Sequence, residues 1–354
     1  MNVAIVGLSG AGKTTLFNAL VRGSASTSGR REANVATIHV PDSRFDRLVE
    51  MYNPKKVSPA TVQFTDTPGS ETGQGLGKEF LPHVRAAETL VEVVRCFENP
   101  ALAQPAPQPI RDLDAIHAEL ILTDFAIVET RLERLRDPRY RSKRTAIEQF
   151  EEQAMQKLYD CLEAERPASA ADLTEEERKA IRSVELVTAV PRLVVLNAPE
   201  DELTAPGEAV LTAIDSCKAA GLDWLLLCAS VEAEISQMGK EDEAEFLAAM
   251  GLEEPARARL IRKVYDLLGL MSFFTVGPDE VRAWTIHKGQ NAVEAAGKIH
   301  SDLARGFIRA EVFSYDDLIT AGSEENVKAE GLLRLERREY VVQDGDILHV
   351  RFKV

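Results

Sequence analysis

The residue types able to do chemistry are concentrated in the first seventeen positions, MNVAIVGLSGAGKTTLF. Val3 to Val6 are a short apolar run, and Gly7, Gly12, Lys13 and Thr14 fill the spacing G-x-x-x-x-G-K-[ST]. Thr15 to Leu20 continue at helical spacing, so the stretch reads strand, glycine-rich turn, helix. The backbone N–H groups from Gly10 through Ala11, Gly12, Lys13, Thr14 and Thr15 are expected to cradle phosphate, because they form a nest at a helix N-terminus whose dipole also favours an anion. Lys13 is expected to reach the β- and γ-phosphates and is the loop's catalytic candidate. The Thr14 hydroxyl is expected to ligand Mg²⁺.

Two further stretches extend that chemistry. Asp66-Thr67-Pro68-Gly69 ends an alternating strand about fifty residues past the loop. At that spacing Asp66 would hold Mg²⁺ through water, and the Gly69 N–H would sense the γ-phosphate. Thr37 is the candidate for a second Mg²⁺ hydroxyl. For the base, GTP-binding proteins of translation use N-K-x-D after a strand, where the Asp accepts guanine's N1–H and N2 amine. Here the corresponding strand ends Asn197-Ala198-Pro199-Glu200. The lysine that would flank the base is alanine and the Asp is a longer Glu, so guanine selection is expected to be lost. Asn197 can meet the N7/N6 edge of adenine, as amides do elsewhere. Cys228, Ala229 and Ser230 would add backbone contacts near the base.

The elements that must position these residues follow from periodicity. Strands are expected at 36–40, 61–64, 88–96, 192–197 and 224–228, with helices at 44–52 and near 206–220. From 111 to 185 three-and-four spacing predicts an antiparallel helical hairpin broken at Asp137-Pro138, then a short helix capped by Thr174 and Glu177. The block therefore reads as an insertion. From 272 the expected order is two strands (273–276, 281–286), a helix over 291–303, a strand over 307–312 and a hairpin of 340–342 with 347–350. That order suits a ubiquitin-like β-grasp. The division is 1–110 with 186–271 as an α/β nucleotide-binding domain, 111–185 as the inserted arm, and 272–354 as the β-grasp domain.

Composition bounds the partners. The chain has 354 residues and a formal charge of −15, so general adhesion to nucleic acid or an anionic membrane is not expected. One stretch departs from that balance. Arg131, Arg134, Arg136, Arg139, Arg141, Lys143 and Arg144 face only Glu133 and Asp137, a local +5 at the hairpin tip. This is either a solvated turn or a phosphate-contacting tip, plausibly for RNA. The four cysteines, Cys96, Cys161, Cys217 and Cys228, are widely spaced with no C-x-x-C, which fits a reducing compartment and argues against structural zinc. With no membrane-length apolar run or signal peptide, a cytoplasmic location is expected.

Taken together, the motifs carry a resemblance. Arg95-Cys96-Phe97-Glu98-Asn99, Gly75-Leu76-Gly77, Asn197-x-x-Glu200, Val281-Arg282-Ala283-Trp284-Thr285, Gly306-Phe307-Ile308-Arg309-Ala310-Glu311 and Val342-Gln343-Asp344-Gly345-Asp346 are similar to the YchF subfamily of Obg-related P-loop proteins, across essentially the whole chain. The resemblance implies a nucleotide domain, an inserted coiled-coil arm and a C-terminal TGS domain. It also implies ATP in preference to GTP, slow hydrolysis and association with the ribosome. Departures touch the hydrolytic residues. Ser70 stands where the subfamily has an apolar residue and Ras-like proteins a Gln. Gln104 stands nearest the position of the subfamily's proposed catalytic His, and Ala36 replaces a Cys before Thr37. Ser70 and Gln104 are the candidates for orienting water, though neither is a good general base. Three readings stay open: a slow Mg²⁺-dependent ATPase switch, a nucleotide-dependent ribosome-binding module without turnover, and a GTP-specific enzyme of translation.

Overall fold

The computed structural model describes residues 1–21, 34–67, 84–99, 106–137 and 145–353. By packing, the chain divides into two units: Met1–Thr37 with Gln63–Arg257, and Ile38–Val62 with Ala258–Val354. The segment 38–62, read from sequence with the nucleotide domain, thus packs with the C-terminal residues.

In the first unit β1 (Asn2–Val6), β2 (Asn34–His39), β4 (Thr61–Asp66), β5 (Thr89–Arg95), β6 (Arg192–Asn197) and β7 (Asp223–Leu227) form one sheet in the order β2-β4-β1-β5-β6-β7. β1 runs parallel to β4 and β5, β5 to β6, and β6 to β7. Every residue of β5 is buried, as expected of a central parallel strand covered on both faces. Parallel pairing needs crossovers. Those around the site are α1 (Lys13–Leu20) and, after the arm, α6 (Glu208–Ala219), with α7 (Ala229–Ile235) following β7.

The arm is α3 (Pro109–Arg136) and α4 (Ala146–Glu163), with α5 (Glu175–Ala180) starting at the Thr174–Glu177 capping box. It has its own core, in which Val128, Leu132 and Leu135 of α3 meet Ala154, Met155 and Leu158 of α4. A polar bond fixes the base of this insertion. Fully buried Asp124 accepts hydrogen bonds from Val187 N at 2.9 Å, Thr188 N at 2.7 Å and the Thr188 hydroxyl at 2.6 Å. The returning chain is thereby tied to the middle of α3.

Three ionisable side chains lie between the sheet and the arm. Glu92 of β5 is 1% exposed and meets Arg192 at 3.4 Å, and the other face of Arg192 lies 3.3 Å from His117 Nδ1 on α3. Burial pushes the Glu92 carboxyl up to about 7 against the pull of Arg192. The Glu92 Oε1 atom is buried without a hydrogen-bond partner among the described residues. Below the carboxylate range of an unfolded chain (pH ~4.3) both states are protonated; between there and about pH 7 only the folded state keeps the proton. Stability therefore falls as pH rises through that window. We expect Glu92→Gln to flatten the fall, worth up to roughly 3 kcal/mol. Urea unfolding at pH 5 and pH 8 measures it; an unchanged difference between the two pH values would count against the assignment.

The second unit contains α2 (Ser43–Tyr52), β3 (Lys56–Ser58), α9 (Ala256–Leu267, which begins just ahead of the unit and follows α8, Lys240–Ala249) and β8 (Leu270–Thr275). Then come β9 (Glu280–His287), α10 (Ala292–Ile299), α11 (Ser301–Arg305), β10 (Phe307–Ser314), α12 (Tyr315–Ala321), α13 (Glu324–Ala329), β11 (Arg334–Glu336) and β12 (Asp346–Phe352). The sheet order is β11-β10-β12-β8-β9-β3. β12 lies parallel to β8, the first strand of the β8–β9 hairpin, and antiparallel to β10, which is the ubiquitin-like β-grasp arrangement. One face packs on α10 through Phe273, Ile286, Ala292, Ala296 and Leu348. β3 adds a sixth strand by pairing parallel with β9. Arg44 of α2 bonds Asp344 at 2.9 Å and lies over the Phe274 ring, and Phe45 stacks on the same ring.

Two expected elements differ. Residues 340–342 do not form a hairpin with 347–350; Val341 makes only an isolated bridge to Asn291. The cause is buried Asp346, whose carboxylate accepts from Tyr340 OH at 2.7 Å and Gln343 N at 2.9 Å, folding the turn so that β12 enters between β10 and β8. The helix expected over 291–303 breaks at His300, which is extended (φ −163°, ψ 142°) and caps α11 with its ring.

Candidate nucleotide site

The phosphate loop spans the end of β1 and the start of α1. Gly7 (φ 148°) and Gly12 (φ 93°) both adopt backbone that side chains avoid, and space closes both positions as well. A Cβ on Gly7 would sit 2.4 Å from Val93 O, and one on Gly12 would sit 2.3 Å from Asn197 Nδ2. The glycines therefore let the loop lie directly against β5 and β6.

Lys13 is 6% exposed, and its ammonium donates to Gly7 O and Leu8 O, each at 2.9 Å. Burial lowers its pKa, with Asp66 opposing. The side chain is folded over its own loop. The Thr14 hydroxyl donates to Asp66 Oδ2 at 2.8 Å, while Asp66 Oδ1 is buried without a partner among the described residues. An orphaned carboxylate oxygen beside a threonine hydroxyl is a hard-oxygen donor pair that fits Mg²⁺. Among the described residues no group of three or more His, Cys, Asp or Glu side chains could hold a metal by itself, so phosphate and water oxygens would complete any such sphere.

A cavity of about 560 Å³ opens over the loop, lined by Gly10, Gly12, Lys13, Thr14 and Thr15. Asn197, Ala198, Glu200, Cys228 and Ala229 line it too, together with Phe97, Glu98 and Asn99. Asn197 has a second task that spacing did not reveal. Its Nδ2 donates to Ala11 O and its Oδ1 accepts from Ala229 N, both at 2.9 Å, so it ties the phosphate loop to the start of α7. Each amide atom retains one further hydrogen-bonding valence. Glu200 is exposed at the first residue of a 3₁₀ turn, Glu200–Leu203. Cys228 is buried, with its thiol 3.1 Å from the Ser230 hydroxyl.

Other sequence candidates fall elsewhere. Thr37 is exposed on β2 and does not line the cavity. Gly69, Ser70 and Gln104, and the tip residues Arg139, Arg141, Lys143 and Arg144, lie outside the described residues. Of the remaining tip cations, Arg131 pairs with buried Glu151 at 2.5 Å and Arg136 with Glu152 at 3.7 Å; Arg134 borders a hollow beside the arm.

A parallel sheet, a phosphate nest and a carboxylate–hydroxyl pair beneath it define a P-loop nucleoside-triphosphate-binding protein. Residues 2–127 match a family model described as 50S ribosome-binding GTPase, and 270–353 match YchF-GTPase_C, described as a protein of unknown function. The chain is 39% identical, over all of its own length and all of the relative's, to the ribosome-binding ATPase YchF of Bacillus subtilis (strain 168). It is 37% identical to the protein of the same name from Escherichia coli O157:H7, covering 99% of this chain and 98% of that one. The solved structure of the Schizosaccharomyces pombe YchF GTPase superposes with a TM-score of 0.88 at 31% identity, covering 99% and 97% of the two chains. The chain belongs to the YchF family.

Proposed function

We propose that this protein is a cytoplasmic, Mg²⁺-dependent ATP-binding switch that hydrolyses ATP slowly and docks on the ribosome. The observation that carries the nucleotide chemistry is the Thr14–Asp66 pair beneath the phosphate nest, with one carboxylate oxygen left without a partner among the described residues. Thr14 and Asp66 would hold the metal, and Thr37 is the proposed second hydroxyl. Bound Mg²⁺ would neutralise charge on the β- and γ-phosphate oxygens. Lys13 would move from the Gly7 and Leu8 carbonyls to those same oxygens, and the loop N–H groups from Gly10 to Thr15 would orient them, with the Gly69 N–H at the γ-phosphate. Ser70 and Gln104 are the proposed water-orienting residues.

Adenine is favoured by the residues at and just after the end of β6 that line the cavity. Ala198 offers no lysine stem to the base and Glu200 is longer than the Asp that grips guanine, while the spare valences of Asn197 suit N7 and N6. The relatives' names divide between ATPase and GTPase. Titration of the purified protein with both nucleotides in Mg²⁺ is expected to show ATP binding at least tenfold tighter, with multiple-turnover phosphate release. GTP binding tighter by that factor would overturn the base assignment, and the absence of turnover would favour a module that uses nucleotide only as a conformational ligand.

The names of the relatives support a ribosomal partner, and the basic arm tip is the proposed RNA contact. Reversing Arg139, Arg141 and Arg144 to Glu is expected to weaken co-sedimentation with ribosomes, and to reduce its salt dependence, without altering nucleotide affinity. Co-sedimentation that is unchanged and insensitive to salt would refute the contact.

A further inference from the structure

The arm's root carries a hollow unrelated to the nucleotide cavity. It measures about 750 Å³ and is lined by Asp114, His117, Leu122 and Phe125 of α3 and by Glu163 and Glu165 at the end of α4. Its floor is apolar. Leu122 is 65% exposed although its neighbour Ile121 is buried, and the Phe125 ring rests against Tyr159 at 4.9 Å between centroids. The rim is acidic, since Asp114, Glu163 and Glu165 are all exposed. Glu165 also holds left-handed backbone (φ 55°), a place where glycine would cost about 1 kcal/mol less. His117 adds no positive charge, because burial and then Arg192 lower its pKa.

The opposite side of the same helix has the other sign. A second hollow of about 680 Å³ is bordered by three cations, Arg85, Arg131 (paired with Glu151) and Arg134, against one exposed carboxylate, Glu185, beside Thr123 and Ile127. At about 100° per residue, positions 114, 118, 121 and 125 point away from 123, 127, 130 and 134. The arm is therefore acidic and apolar on one face near its root, and basic on the other towards its tip.

We propose that the acidic face is a docking groove for a basic, amphipathic segment of a protein partner. A lysine or arginine stem lies along Leu122 and Phe125, its cationic end reaches the three carboxylates, and the aromatic pair adds cation–π attraction. Nucleic acid is repelled there by the carboxylates and belongs on the opposite face. The proposal is independent of which nucleotide the protein binds.

The test uses full-length protein and a fluorescein-labelled Lys/Leu amphipathic helical peptide, read by anisotropy near 150 mM salt, where charges beyond ~8 Å are largely screened. The triple change Asp114→Lys, Glu163→Lys, Glu165→Lys is expected to weaken binding at least tenfold, and Leu122→Gln about threefold. A control with the same charge change, at exposed Glu175, Glu176 and Glu208, is expected to weaken it less than twofold. Leu122→Gln keeps the test valid should the triple variant fail to fold. Equal weakening by the control, or no weakening by Leu122→Gln, would overturn the groove. Displacement of the peptide by oligouridylate would reassign it to nucleic acid.

Discussion

Lys13→Ala is expected to abolish the thermal stabilisation that Mg²⁺-ATP gives the wild-type protein. At a hundred times its Kd a ligand contributes about 2.7 kcal/mol, which for a unit of this size is roughly 5–10 °C in melting temperature. The ammonium supplies charge-assisted bonds to the phosphates, so its loss should weaken nucleotide binding about a hundredfold and turnover by at least as much. Without nucleotide the variant should melt close to wild type. The buried ammonium contributes two bonds to Gly7 O and Leu8 O but costs desolvation, as its lowered pKa records. Differential scanning fluorimetry with and without Mg²⁺-ATP separates the two effects. A large loss in the nucleotide-free protein, with the ligand shift intact, would mean that Lys13 holds the loop rather than the phosphate.

The second large effect belongs to Asn197. Its removal as Asn197→Ala strands the Ala11 carbonyl and the Ala229 N–H, each about 1–3 kcal/mol when buried without a partner. We therefore expect destabilisation of roughly 2–4 kcal/mol in the first unit alone. Trp224, in β7 beside β6, reports that unit, while Trp284 reports the other, so urea unfolding in a Trp284→Phe background isolates the effect. Nucleotide affinity should fall as well, because the phosphate loop loses its tie to α7. Weakened ATP binding with unchanged stability would show that Asn197 serves the base alone. Gly12→Ala should behave similarly, since its new Cβ would collide with the same amide.

How far such roles could be read beforehand depended on the range of the interaction. The phosphate loop was legible because its chemistry is local: glycine at 7 and 12, then Lys13 and Thr14, encode a turn, a charge and a hydroxyl within eight residues. The Thr174–Glu177 capping box was legible for the same reason. The bonds of Asn197 to residues 186 and 32 positions away were not, although the residue itself was singled out for the base. Asp124 read as one polar residue on a helical face, since nothing in its neighbourhood announces that Val187 and Thr188 will meet it. Glu92 was written into an apolar strand and its partner Arg192 opens another, a hundred residues on. The failed hairpin at 340–350 combines a local and a distant cause: Asp346 folds the turn onto Tyr340 and Gln343, and β12 then pairs with β10 and β8.

The segment 38–62 has a consequence for biosynthesis. Its α2 and β3 leave the translating ribosome early, yet their partners are Phe274, β9 and Asp344, the last of these joined to Arg44 across 300 positions. The C-terminal sheet thus cannot be completed cotranslationally from adjacent sequence; an early piece must wait, unpaired, until nearly the whole chain is made. Long loop closures of this kind slow folding and leave strand edges and aromatic surface open in the interval. A fragment starting at residue 258 would carry the same defect permanently, presenting an uncapped β9 edge and an uncovered Phe274. Expression of the C-terminal unit by itself calls for residues 38–62 to be supplied with it, in trans or by circular permutation.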